Sequence, residues 1–348
     1  MVELLVGLAI SSFIIIGTVF VYSQSRTTYA LNDTQARLQE YGRFALGVME
    51  PDLQLAGYFG FSNNPSDLRY LDSSGSEFPI SQLEQVDAPL VVTPAAIHTC
   101  GNNFVVDLLA TVQGTDGTYP GSGGCAAAGG HVADSDTFTI RRAATAQAAT
   151  ARADRIQLYV NALKRSNQYV FNSGTAPGAV DEFREIRDLV VRMYYVSQNS
   201  DGREGVPSLR RKNLTTVGGA PGIADEEILP GVEDMQVQFG VDTGDHDGIA
   251  GIDQDEDANG VPDNPNGVVS RWVSPTDDVL MAPPLGRKAQ VVAVRVWLRI
   301  RADDPEVGFT DGRTYTYAGI DYTPAGTDAS FRRILVSRTV YLRNARTL

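Results

Sequence analysis

The sequence predicts an α+β protein in which one long N-terminal helix packs on an antiparallel β-sheet and carries a large β-rich head. Three observations lead there. Residues 1–50 contain no proline and carry an apolar pattern of helical period. Beyond about residue 135 the chain turns to short segments rich in Val, Ile, Tyr and Phe, several alternating apolar with polar as half-buried strands do. The order is a helix followed by a run of strands, without alternating β-α-β units or a fixed-period repeat.

The 348 residues carry 29 Lys+Arg against 42 Asp+Glu, a formal net charge of -13. Such an acidic balance argues against a nucleic-acid partner, because phosphate contacts need a basic surface. At 43% apolar and 20% charged the chain has the make-up of a folded protein. Two cysteines are too few for a disulfide scaffold, and three histidines leave little for a histidine-based metalloenzyme.

The helix comes first. From residue 4 to residue 25 no ionisable group occurs except the phenol of Tyr22. That run is long enough to cross a bilayer, since about 20 apolar residues span a core of roughly 30 Å. The apolar region of a secretory signal peptide is shorter, about 7–15 residues. Without a Gly or Pro break the run passes into a stretch where Leu31, Leu38, Tyr41, Ala45 and Val48 form an amphipathic stripe. Residues 1–22 are therefore read as transmembrane and 23–54 as the amphipathic half of one helix, with Pro51 expected to end or kink it. Glu3 stands at the edge of the apolar span, where entry into the bilayer costs about 2–3 kcal/mol. It either snorkels to the headgroups or has a partner.

The segment V-E-L-L-V-G-L-A-I-S-S resembles the mature amino terminus of type IV pilins and type II secretion pseudopilins. In that class a short basic leader ending in Gly is cut before an N-methylated Phe, two residues follow the Phe, and Val-Glu-Leu comes next. On that resemblance Met1 stands at the third mature position, and Glu3 neutralises the N-terminal amine of a neighbouring subunit. The resemblance implies a bacterial inner-membrane protein with a single span, its head in the periplasm, later drawn into a filament.

The head is read as residues 55–348, with a division into two lobes near 150–180 left open. After Gln54 the chain is loop-rich, and Cys100 and Cys125 bracket part of it. In a translocated protein two cysteines read first as one disulfide, stabilising the closed loop by about 3 kcal/mol. The alternative is a zinc site with His98 and His131, although structural zinc prefers tighter cysteine pairs. The Gly/Ala-rich runs GCAAAGGHVA and AATAQAATARA read as a mobile surface connection. Strands are predicted over 136–142, 154–160, 189–198, 235–241, 291–301 and 332–344. NSDGREG at 199–205 is a turn that folds 193–198 onto 208–211 as a hairpin.

The second half sharpens the resemblance. Residues 228–240, ILPGVEDMQVQFG, resemble a strand of PilW-type minor pilins, as do 291–301, RTYTY at 313–317 and the closing FRRILVSRTVYLRN. LAGYFG at 55–60 is similar to that family's turn after the helix. The minor pseudopilin J of type II secretion is the nearest alternative; it shares the helix and is usually shorter. The PilW resemblance implies a structural role in pilus assembly and initiation at or near the filament tip. It also implies a part in cell adhesion and twitching motility. Other minor pilins, the major pilin and a tip adhesin are the implied partners.

Residues 242–263 hold eight acidic side chains and no Lys or Arg. Packed like charges repel, so the loop either is solvated or holds a hard cation. Asp255, Asp257, Asn259, Asp263 and Asn266 fall at positions 1, 3, 5, 9 and 12 of a calcium-type loop, with Gly260 at 6 and the Val261 carbonyl at 7. The run also resembles the calcium loops of thrombospondin type 3 repeats. Asn266 replaces the bidentate acid of a strong site, so a weaker calcium site is expected. Asp245, Asp247 and Asp253 form a less complete second candidate. This leaves open a membrane-anchored, calcium-dependent adhesion module. Catalysis is not expected, for the sequence has no nucleophile elbow, zinc-protease helix motif or P-loop.

Overall fold

A computed structural model of the chain describes residues 2–62, 64–71, 75–80, 99–101, 103–121, 123–164, 166–243, 267–281 and 289–345. Helix α1 (Val2–Gln54) is continuous for 53 residues, about 80 Å at 1.5 Å per residue. Pro51 lies inside its last turn, and the helix ends three residues later at Gln54. The buried neighbours Asp52 and Leu53 hold that turn against the head, and the Leu55 N–H still donates to the Pro51 carbonyl at 3.1 Å.

Among the described residues the head is formed by two large sheets and one small hairpin. The first is built from β1 (Arg69–Leu71), β2 (Glu77–Pro79), β3 (Val112–Thr115), β4 (Thr137–Ala143), β5 (Gln157–Asn161), β6 (Tyr169–Phe171), β7 (Arg184–Ser197), β8 (Ser208–Val217) and β9 (Ala220–Pro230). Its order is β2-β1-β6-β5-β7-β4-β3, with β8 also on β7 and β9 on β8. The pairing of β1 with β6 is parallel; the others in the sheet are antiparallel. The second sheet, order β11-β10-β12-β15, comprises β10 (Val232–Asp242), β11 (Arg271–Val273), β12 (Gln290–Arg301) and β15 (Arg333–Tyr341). A small hairpin joins β13 (Tyr315–Tyr317) to β14 (Ile320–Tyr322). The chain changes sheets at Gly231, whose φ of 86° and approach of its Cβ position to within 2.9 Å of the Arg301 carbonyl leave room for glycine alone. Strands on both sides of residues 150–180 share the first sheet, so a sheet boundary does not fall there.

One core unites helix and sheets. Leu38, Ala45, Leu46, Met49 and Leu53 of α1 pack with Val237, Val294, Val296 and Leu298 of the second sheet and Phe138, Ile140 and Val196 of the first. A second core, including Phe59, Tyr70, Val105, Leu158 and Leu189, lies within the first sheet's part of the head.

The predicted hairpin is present, with Ser197 opposite Ser208. Strand β7 starts five residues before the predicted Leu189, because the buried ion pair of Glu185 with Arg187 (2.6 Å) hides its polar start from a hydrophobicity reading. Strand β9 carries ADEE and went unseen for a related reason. It is tied to β8 by cross-strand charges, Arg210 opposite Glu227 and Lys212 opposite Asp225, set between two apolar pairs, Leu209 opposite Leu229 and Leu214 opposite Ile223. Both Gly/Ala-rich runs are hydrogen-bonded to the first sheet, the second through the Ala144 and Ala148 N–H groups to the Asp188 and Ile186 carbonyls. Tyr195 accepts the Ala128 N–H at 2.9 Å, while the Ala126 carbonyl accepts from Lys212 at 2.7 Å and the Ala128 carbonyl from Ser197 at 2.6 Å.

Candidate functional site

The first half of α1 is apolar and uncovered. Its most apolar window has a mean hydropathy of 2.6 and is 0% buried, and by length and composition it can cross a membrane. Its hydroxyls are compatible with hydrocarbon because they bond back to the helix. Ser11 donates to the Gly7 carbonyl at 2.7 Å, Ser12 to Ala9 at 2.8 Å and Thr18 to Ile14 at 2.8 Å. Glu3 lies exposed in the first turn, where the helix dipole favours a carboxylate.

The second half becomes a wall of the head. Of the predicted stripe, Leu38 and Ala45 are buried, and Leu31, Tyr41 and Val48 are half-buried. Gly42 was not singled out from sequence, yet it sets the distance between helix and sheet. A Cβ at that position would lie 2.8 Å from Val336 Cγ1 on β15.

Asp52 locks the end of the helix into the first sheet. Its carboxylate accepts from Arg142 of β4 at 2.9 Å, from Arg192 of β7 at 2.8 Å and from the Tyr194 hydroxyl at 2.6 Å. Tyr194 stacks on Phe138, with ring centroids 4.9 Å apart. Burial alone would raise the Asp52 pKa, but Arg192, Tyr194 and Arg142 outweigh it and hold the carboxyl below its ordinary value. Breaking such a buried charge cluster from one side is costly, because the partners stay buried. Outer ties are weaker. Glu50 pairs with Arg338 at 2.8 Å where both are partly exposed, and the Arg343 N–H reaches the Gln54 carbonyl at 3.2 Å. Sequence offered one clue to Asp52, its place with Met49, Leu53 and Ala56 on the buried face.

Cys100 and Cys125 are joined, with Cα atoms 4.9 Å apart, and pack on Met193 of β7. The zinc alternative is thereby corrected, since both thiols are used. His131 instead lies against Tyr119, centroids 5.5 Å apart, and His98 lies outside the described residues.

The calcium candidates Asp245, Asp247, Asp253, Asp255, Asp257, Asn259, Val261, Asp263 and Asn266 also lie outside the described residues. The two ends of their loop are described and drawn together. Val241 pairs with Arg271, the buried Asp242 carboxylate accepts the Gly267 N–H at 2.6 Å, and Thr243 N–H donates to Ser270 at 3.1 Å. Among the described residues no group of three or more His, Cys, Asp or Glu is placed to hold a metal ion.

A long helix with one bare apolar half and one half packed on antiparallel sheets defines the class: the architecture is pilin-like. Residues 193–344 match the family model described as type IV pilus-assembly protein W, PilW. The matched span includes the stretches at 228–240, 291–301 and 313–317 and the closing strand that suggested the family from sequence. The helix and the LAGYFG turn lie before it. Among solved structures, a type IV-like pilin from Thermus thermophilus is 16% identical, with 61% of this chain and 80% of that one covered at a TM-score of 0.29. No curated protein matches the chain.

Proposed function

We propose that the chain is a structural minor pilin of a type IV pilus, acting in assembly and initiation at or near the filament tip. The observation that carries this reading is the continuity of α1. The same unbroken helix is bare and apolar over residues 2–22 and part of the head's core from Leu38 onward. Such a rod serves first as an inner-membrane anchor, with the head in the periplasm. It then serves as the subunit's share of a helical filament core, where other minor pilins and the major pilin cover it. The head's two sheets make a bulky subunit for the body of a thin filament, which favours the tip and a tip adhesin as neighbour. Adhesion and twitching would then be properties of the assembled pilus.

In this reading Glu3 sets the register by neutralising a neighbour's terminal amine. The expected outcome for Glu3→Ala is normal membrane insertion and head folding with fewer pili, counted by electron microscopy. Pilus numbers equal to wild type would overturn the register role.

We further propose that the acidic loop binds calcium weakly. Support comes from the closed base of the loop at Asp242 and Gly267, which brings the ends of an acidic run together. Occupation should stabilise the head by about 2.7 kcal/mol at a hundredfold excess over Kd. Thermal melting in EGTA, calcium and magnesium tests this for wild type and Asp255→Ala/Asp257→Ala. An unchanged wild-type melting temperature in millimolar calcium would leave a solvated acidic loop. Magnesium should act less well because it demands a tight octahedral shell.

A further inference from the structure

The connection between β12 and β13 holds a turn that its local environment does not explain. The Phe309 N–H donates to the Glu306 carbonyl at 3.2 Å, closing a four-residue turn with Val307 and Gly308 at its centre. Gly308, at φ 79°, supplies the left-handed position that such a turn needs. The base is firmly held. Glu306 N–H donates to the Ser330 carbonyl at 2.8 Å, Arg332 pairs with the Glu306 carboxylate, and the Arg332 guanidinium lies 4.0 Å from the Phe309 ring centroid. All of this order presents one aliphatic side chain, Val307, which is fully exposed and the most exposed large apolar residue among those described.

The turn stands beside the end of the apolar half of α1. An open groove of about 590 Å³ separates them, lined by Val19, Tyr22, Arg26 and Leu31 from the helix and by Pro305 and Val307 from the connection. The uncharged run ends at Ser25, and Arg26 is the first fixed cation. Residues 2–22 measure about 30 Å along a helix, the thickness of a hydrocarbon core. Tyr22, an amphipathic ring of the kind enriched at membrane–water boundaries, marks the end of that run. The turn therefore lies at headgroup level whenever the helix is inserted.

We infer that the turn at residues 306–309 is a foot by which the head rests on the bilayer, with Val307 entering the boundary between headgroups and acyl chains. The inference rests on the membrane-anchored state proposed above and adds a second, peripheral contact to it. The occupant is a phospholipid surface, because the groove is continuous with the membrane-spanning face and its exposed tip is apolar. Asp304 and Glu306 flank the tip, so attraction to anionic lipid is not the driving term. Zwitterionic lipids should suffice, and the contact should withstand salt, as apolar burial does and screened charge does not. The foot and the helix together would fix the tilt of the head above the membrane before extraction.

The test uses the full chain reconstituted in phosphatidylcholine–phosphatidylethanolamine vesicles, with an environment-sensitive fluorophore on one introduced thiol. Both native cysteines are tied in the disulfide and leave the label site-specific. Labels go on Val307→Cys, on Val21→Cys within the apolar run, and on Val217→Cys, an exposed position at the end of β8. Quenching by shallow spin-labelled lipids is expected at Val307 and Val21 and not at Val217, unchanged in high salt. A Val307 label that behaves like Val217 while Val21 is quenched overturns the foot and leaves the anchor standing. A Val21 label that is not quenched removes the anchor, and the foot with it. A blue-shifted Val307 label without lipid quenching assigns the turn to a protein contact instead, which also overturns the inference.

Discussion

The two halves of α1 share one backbone and differ in what surrounds them. Phe13 and Phe20 are 76% and 68% exposed, whereas Met49 and Leu53 are each 1% exposed. The bare half is apolar on every side, and the covered half is apolar along one stripe that also carries Asp52. A protein core covers one face of a helix; only lipid or a ring of neighbouring helices covers all of it. The difference teaches that the first half is built for an environment the head does not supply. The second half is built to transmit whatever acts on the first into the sheets.

The sharpest way to break this contrast is Asp52→Ala. It leaves Arg142, Arg192 and Tyr194 without their shared acceptor, and a loss of about 3–5 kcal/mol is expected in chemical denaturation of the full chain in detergent. The same site has a pH signature. Because the folded pKa lies below the unfolded one, its contribution is complete above about pH 4 and is lost as pH falls through the lower folded value. Wild type should therefore lose more stability than Asp52→Ala between about pH 5 and about pH 2. Parallel loss in both proteins would remove Asp52 from the anchor.

Next in size is a matched pair of truncations. Met49→Ala opens the shared core and should cost about 2–4 kcal/mol in the same denaturation. Phe13→Ala, although a larger deletion, should leave head unfolding unchanged and register instead as weaker retention in membranes. Equal effects on the head would mean that the bare half packs on it after all.

The smallest effect concerns glycines. Ala in place of Gly42 forces Val336 to shift, and the helix propensity it adds, about 1 kcal/mol, offsets part of the clash. A net loss within about 1 kcal/mol is expected, and Val336→Ala in the same chain should relieve it. Gly7 and Gly17 have nothing within 4 Å of a Cβ position, so Ala there should show no packing cost.

Much of this contrast was legible before any fold was known. An uncharged run from residue 4 to residue 25 and a stripe through Leu38 and Ala45 are one-dimensional patterns, and one-dimensional patterns determine a helix and its apolar faces. The same holds for the strands whose side chains alternate, such as β10 and β12, and for the turn at 199–205. Charged strands were harder to read. β9 carries Asp225, Glu226 and Glu227 at its centre, and its pairing with β8 there lies in complementary charges that no period reveals. Tertiary structure alone decided that Asp52 meets Arg142 and Arg192, 90 and 140 residues away. It also decided that Gly42 brings the helix onto Val336, that β1 pairs in parallel with β6, and that the Val307 turn stands beside Tyr22. The physical reason is range. Helix and strand follow from each residue's neighbours in the chain, whereas a buried charge cluster, a close approach or a groove exists only once distant segments have been brought together.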